Sequence, residues 1–323
     1  MLLIGNGRLI THHAEAPYLE DGGVAVEDGV IADLGPTAEL RARYPDGEWY
    51  NAAGRVVMPG LINAHTHIYS AFARGLSLPQ ARPNRNFMEI LENIWWRIDK
   101  VLNLDDTRMS AYATGLESVR CGVTTLFDHH ASQNHVAGSL FAIADALQDI
   151  GLRSALCYEV SDRDGAETAA RAIRENTAFI EHAAKDKTDM RKGMLGLHAS
   201  FTLSDKTLED CVAAMGGKNV GYHVHVAEGI DDLRDALKKY GKRVVERLYD
   251  AGILGEKTLA VHNVHINAAE MELLKATDTV VVHNPESNMS NAVGAAHRLC
   301  RWRKRVFLWA WVPTRTPRTC SNR

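Results

Sequence analysis

The segment PGLINAHTHIYSAFARGL, residues 59–76, closes an apolar run with two histidines one residue apart, His65 and His67. On a strand, positions i and i+2 project from one face, so both imidazoles point the same way. Two neutral imidazoles so placed can hold a divalent cation at roughly 2.0–2.1 Å each. The spacing recurs in HVHVAE, where His223 and His225 precede Glu228. With His225 at a strand tip, a third imidazole reaches the same cation, and Glu228 overhangs the same mouth as a proton carrier. His223, one pleat deeper, reads as a packed or hydrogen-bonded residue. The plain alternatives are a pair of polar loop histidines and a helix-start acid.

Other apolar runs also end in polar side chains: Asp128, Glu159, His198 in GLHAS, His262 in AVHNVH and His283 in VVHNPESN. Each histidine alone reads as a core residue; recurrence at the same point of successive units makes them site candidates. Catalytic metal centres use about three protein ligands and keep a position for water. With His65, His67 and His225 as ligands, His262 and His198 are left to meet substrate, and His283 is grouped with them. Arg74, Trp95 and Trp96 could face an aromatic or anionic substrate, although adjacent tryptophans equally suit packing on a loop helix.

The five cysteines form no CxxC pair, which argues against a disulfide framework and a thiolate zinc site, so a metal would rely on His and carboxylate. There is no 18-residue apolar run, and the opening MLLIGNGRLI is too short and too broken for a signal peptide. A cytoplasmic chain without membrane partners is expected. The net charge of -3 conceals an asymmetry: setting aside the eight basic residues of 297–323 leaves 29 Lys and Arg against 40 Asp and Glu. The acidic body offers no surface for nucleic acid, and the basic, Trp-rich tail is not its natural continuation.

These side chains need a scaffold that gathers strand ends. Residues 1–57 read as short strands and Gly-rich turns, a partial β-sandwich domain. From 58 to 296, short β-branched runs alternate with helical patterns near 136–150, 165–184, 205–215, 231–251 and 267–276. Seven strands with helices between them predict a parallel sheet, and polar residues at almost every strand end favour a (β/α)8 barrel over an open sheet, because in a barrel those ends converge.

VMPGLINAHTH, HVHVAE, AVHNVH and HNPESNMSNAVGAA resemble the amidohydrolase superfamily, in its branch of deaminases and chlorohydrolases acting on N-heterocycles. Within it, NIWWRID, DHHAS and SNMSNAVG are similar to the SsnA group of aminohydrolases. The resemblance implies one divalent metal ion, zinc or else iron, held by His65, His67 and His225, with Glu228 as proton shuttle and His262 polarising the attacked centre. It also implies a substrate-contacting His198, a small heterocyclic substrate, a homodimer or larger oligomer, and a barrel whose eighth strand ends in Gly-Thr-Asp. Hydrolysis of a C–Cl or amide bond by the same machinery, or a metal-binding protein without activity, are the alternatives.

No Asp or Glu follows residue 296. Yet the codons of Trp309 to Thr314, read one base earlier, permit Leu-Gly-Leu-Gly-Thr-Asp with both glycines forced. A single-base shift near codon 296 would therefore account for 297–323, and the chain as written is expected to lack its eighth strand and to leave an open sheet edge.

Overall fold

The computed structural model describes residues 1–76, 78–79 and 82–294, together with the backbone of 309–311. The chain divides into two compact units, Met1–Leu61 and Ile62–Arg323.

The first unit is a five-stranded sheet. Strands β1 (Leu2–Ile10), β2 (Tyr18–Glu27) and β3 (Val30–Pro36) form an antiparallel meander, and β4 (Glu48–Asn51) and β5 (Val56–Val57) each run parallel to β1. Between β3 and β4 lies a helix that the strand pattern did not reveal, α1 (Thr37–Arg43), whose Leu40 is buried.

The second unit begins with β6 (Leu61–Thr66) and a 3₁₀ turn, Ile68–Ala73. Next come α2 (Phe87–Ile90), a π-helical turn Leu91–Trp95, α3 (Trp96–Val101) and α4 (Leu104–Arg120). Sequence periodicity misses α4, but its N-terminus is written in a capping box, Asn103 and Asp106 exchanging side-chain and backbone bonds. The alternation that follows is β7 (Val123–His130), α5 (Ser139–Ile150), β8 (Arg153–Val160), α6 (Ala166–Ala183), β9 (Arg191–Gly193), β10 (Leu195–Ala199), α7 (Asp205–Met215) and β11 (Tyr222–Val226). The expected helix over 231–251 is two, α8 (Ile230–Tyr240) and α9 (Val244–Asp250), because Gly241 takes φ 65° and stops the first. Then come β12 (Leu259–His262), α10 (Ala268–Ala276), β13 (Val280–His283), α11 (Pro285–Ser290) and β14 (Trp309–Trp311).

The sheet runs β6-β7-β8-β10-β11-β12-β13, a nearly closed parallel barrel of seven strands, with β9 paired beside β8. The fold is therefore the expected α/β barrel. The sheet keeps the expected open edge, one strand further on: β14 pairs in parallel with β13, Val282 opposite Ala310, and among the described residues no pairing joins β14 to β6. Backbone pairing needs only N–H and C=O groups, so the tail can occupy the eighth position whatever its side chains. The rest of 297–323 lies outside the described residues.

Period-2 alternation decides what faces the barrel interior. Leu126, Leu156, Tyr158, Leu195, Leu197, Val224 and Val226 pack with the helices in the main core cluster. Their neighbours of opposite parity, His129, Glu159, His198, His223 and His225, therefore turn inward. Close strand approach demands glycine at Gly221, where a Cβ would lie 1.9 Å from the Lys257 carbonyl oxygen.

Candidate metal centre and active site

His65, at the end of β6, bonds through Nδ1 to His223 Nε2 at 2.8 Å, and its own Nε2 is buried without a hydrogen-bond partner. His67 Nδ1 lies 2.7 Å from the carbonyl oxygen of His129, and His225 Nδ1 lies 2.8 Å from that of His198. A carbonyl only accepts, so both Nδ1 atoms carry the proton and both Nε2 atoms present lone pairs. Those two Nε2 atoms stand 3.2 Å apart. Burial pushes the His67 pKa down to about 3, with His129 adding and Glu159 opposing, and drives His65 and His225 well below the ordinary range. No proton then lies between the two lone pairs.

Two nitrogens bound to a tetrahedral zinc at about 2.0–2.1 Å stand about 3.3 Å apart. The His67 and His225 donors thus fit a cation, each with its second nitrogen oriented by a fixed partner, as metal-ligating histidines usually are, whereas His65 joins His225 in a group with His262 and not with His67. The three rings form a compact triangle, with centroids 4.7 Å (His65–His67), 5.1 Å (His65–His225) and 5.2 Å (His67–His225) apart. Three groups place their potential ligand atoms within 4.8 Å of one another: His65, His225 and His262; His67, His129 and His225; and Glu159, His198 and His225. His225 is common to all of them.

Glu228 stands just past β11, 8% exposed. Burial lifts its pKa to about 8, against a 3.2 Å hydrogen bond donated by Asn291 Nδ2 to Oε1. Its Oε2 is 3.4 Å from His262 Nε2. His262 Nδ1 bonds to Asn288 Oδ1 at 2.7 Å, and burial lowers its pKa to about 4. Strict alternation from Val261, which packs in the interior cluster, would turn His262 away from the mouth. The backbone redirects it instead: His262 and Asn263 take φ 71° and 54°. Left-handed non-glycine residues of this kind concentrate at functional sites.

The opposite wall holds Glu159, its Oε2 3.6 Å from His129 Nδ1 and its Oε1 3.5 Å from Arg163 Nη2. Burial opposes ionisation, but His198, His129 and the Arg163 guanidinium hold the carboxyl well below the usual carboxylate range. Arg163 pairs with Asp99 at 2.5 Å and lies 5.1 Å over the Trp96 ring. His198 Nδ1 bonds to Thr202 Oγ1 at 2.7 Å, and burial lowers the His198 pKa to about 4.

A family model described as the amidohydrolase family matches residues 56–300, and a short match to a bacterial imidazolonepropionase-like composite domain covers residues 22–46. The chain belongs to the amidohydrolase family. It is 32% identical to a 5-methylthioadenosine/S-adenosylhomocysteine deaminase of Desulforudis audaxviator over 85% of this chain and 61% of that protein. It is 30% identical to a 5'-deoxyadenosine deaminase of Methanosarcina mazei over 91% of this chain and 65% of the relative. The chain thus spans less than two thirds of the length of these curated relatives. Among solved structures, an adenosine deaminase from Xanthomonas campestris with bound zinc superposes with TM-score 0.79 at 24% identity, covering 97% of this chain and 69% of that one. The SsnA likeness rests on the sequence segments alone.

In this amidohydrolase, His65, His67, His225, Glu228, His262 and His198 converge on one barrel mouth. The other three candidates lie apart from that cluster. Arg74 is exposed on the loop after β6. Trp95 joins two apolar clusters, with Tyr69 and Ile98 and with Phe87 and Leu91, whereas Trp96 is the tryptophan beside His198, 6.2 Å ring to ring. His283 has the parity of Val281, which packs toward the helices, and bonds to the His262 backbone. Reasoning from sequence left out His129 as a donor, Glu159 as a wall of the site and the two asparagines of the SNMSN segment; position at strand ends marked Glu159, but nothing local marked Asn288 or Asn291. Asp128, also at a strand end, has outward parity: it accepts the Ile68 N–H at 2.7 Å and so fixes the turn after His67.

Proposed function

We propose that this amidohydrolase is a metal-dependent aminohydrolase that removes an amino group from an N-heterocycle, one divalent ion being held by His65, His67 and His225, zinc ahead of iron. The observation that carries this reading is the pair of unprotonated Nε2 atoms of His67 and His225 facing each other at 3.2 Å, beside a carboxyl group lifted to about 8. When bound, the metal supplies Lewis acidity and a water activated near neutral pH.

The chain's own groups supply the rest. Glu228, protonated at neutral pH, is placed to deliver a proton to a ring nitrogen. His262, its Nδ1 held by Asn288, turns Nε2 towards Glu228 and the reacting centre. His198 and Trp96 border the space where a flat ring would lie. The tail 297–323 is read as the product of a single-base shift near codon 296; sequencing the gene across that codon tests this, and an unshifted frame overturns it.

Metal analysis joined to ammonia release from aminopurines and aminopyrimidines tests the function. The expected outcome is one bound ion per chain, no ammonia release from the chain as written, and ammonia release from a frame-restored chain that Glu228→Gln lowers by about 10²–10⁴-fold without loss of metal. Bound metal with no ammonia from any heterocycle in either chain would leave a metal-binding protein, and release of chloride or of an acid from an amide would move the reading to those bonds.

A further inference from the structure

Helix α4 carries its apolar stripe on the outside. The row it turns to the barrel is Thr107, Ser110, Ala111, Thr114, Gly115 and Ser118, all buried, and the helix packs on α5 and on the 3₁₀ turn Ile68–Ala73. The opposite row holds the larger apolar side chains: Met109 is 54%, Leu116 57% and Val119 46% exposed. Tyr112, half-buried, lies in the same row, its hydroxyl tied to Asp149 at 2.6 Å. A surface helix of a globular protein turns its apolar stripe to the core, so a stripe on the far side has a second surface to meet. From Met109 through Tyr112 and Leu116 to Val119 the row advances by three, four and three residues, the spacing of a seam between two helices.

The charges at the two ends of α4 indicate what lies across the seam. The first turn is acidic, with Asp105 and Asp106, and the last turn is basic, with Arg120. Asp105 and Arg120 are both exposed, and within the chain Arg120 meets only Glu117, at 3.8 Å. A point between Tyr112 and Ala113 is midway between Met109 and Leu116 and also midway between Asp105 and Arg120. A second α4 laid antiparallel about that point sets Met109 against Leu116 and Asp105 against Arg120, and each contact recurs on the other side of the axis, as an isologous interface requires. The opposed helix dipoles add to the attraction. A parallel pair would instead face Asp105 with Asp105 and Arg120 with Arg120, which repel. The chain's own segment 297–323, with seven Arg, one Lys and no acid, offers nothing to Arg120. We infer that the outer face of α4 is a two-fold interface on which a second copy of this chain docks, α4 against antiparallel α4. The inference is independent of the aminohydrolase reading, since none of these side chains belongs to the barrel mouth.

Sedimentation velocity and cysteine cross-linking of the full chain test it. The wild type should form a dimer, and Leu116→Lys, which puts a charge into the seam, should weaken self-association by at least about 10-fold. Leu116 is exposed, so this change leaves the barrel core intact, and an unaltered circular dichroism spectrum checks that. Under mild oxidation Met109→Cys alone and Leu116→Cys alone should add no cross-linked dimer to the wild-type background of native cysteines. The two substitutions together should add it, because position 109 of one copy lies against position 116 of the other. A monomeric wild type overturns the inference, whatever else covers the seam, and that measurement needs no variant to fold. A dimer indifferent to Leu116→Lys puts the contact elsewhere and overturns it too. Cross-linking in either single variant denotes a parallel or shifted pair and overturns the two-fold arrangement.

Discussion

Glu228 shows how burial sets a role. A carboxyl with a pKa near 8 is a proton donor at neutral pH, and one neighbouring amide from Asn291 only partly offsets the cost of burying the charge. If Glu228 acts as the acid, kcat falls as pH rises through its raised pKa, which a bound cation draws below the metal-free value, and Glu228→Gln abolishes that limb; a pH–rate profile of both forms checks this, and an unchanged limb in the variant assigns it elsewhere. The same shift makes Glu228 a stabilising group only while protonated: the contribution is complete below the ordinary carboxylate range and is lost as pH passes 8. His65, His67, His225 and Glu228 were legible from types and spacing alone, since i, i+2 pairs on a strand and a carboxylate three residues on define a chemistry. The tautomers were not, because they are set by the His129 and His198 carbonyls and by His223, brought in by other strands.

The element that completes the site is α11, a single short helix after β13. Its Asn288 holds His262 Nδ1, and Asn291, immediately after the helix, reaches Glu228. Fixing the partner nitrogen of an active imidazole is typically worth 10–100-fold in affinity or activity. Asn288→Ala should therefore lower kcat by about 10–100-fold with metal content unchanged, and Asn288→Asp, which keeps an acceptor, should recover part of it; steady-state kinetics with metal analysis read both. Loss of metal in Asn288→Ala would show that His262 is a ligand instead. The strand–helix alternation was plain in the sequence because β-branched runs and helical spacing differ locally. Helix α4 and the break at Gly241 were less so: α4 is announced only by its cap, and a single glycine inside an amphipathic pattern becomes a stop only through its φ of 65°.

Across the whole molecule, the barrel concentrates imidazoles where water is excluded. Burial lowers His67 and His130 to about 3 and His198 and His262 to about 4, and holds His65, His223 and His225 well below the ordinary value. Each is neutral in the folded state and charged in the unfolded state once pH drops below about 6.5, so its stabilising contribution, complete above that value, is lost as pH falls from 6.5 towards 4 and 3. The metal-free chain should lose about 1.4 kcal/mol per pH unit for each such histidine over that range. Urea unfolding at pH 7 and 5 measures it, and equal midpoints would refute it. Zinc at about 1,000 times its Kd should add about 4 kcal/mol at pH 7, removable by a chelator. By itself the sequence determined the barrel class and singled out His65, His67, His225 and Glu228 as candidates, because hydrophobic periodicity and residue type are local properties that parallel strands convert into convergence at one mouth. Only the tertiary structure decided which nitrogen of each ring is free, that His262 turns inward while His283 does not, and that Trp96 and Glu159 wall the site. Those depend on backbone carbonyls, left-handed turns and strand neighbours far apart in the chain, which no local pattern encodes.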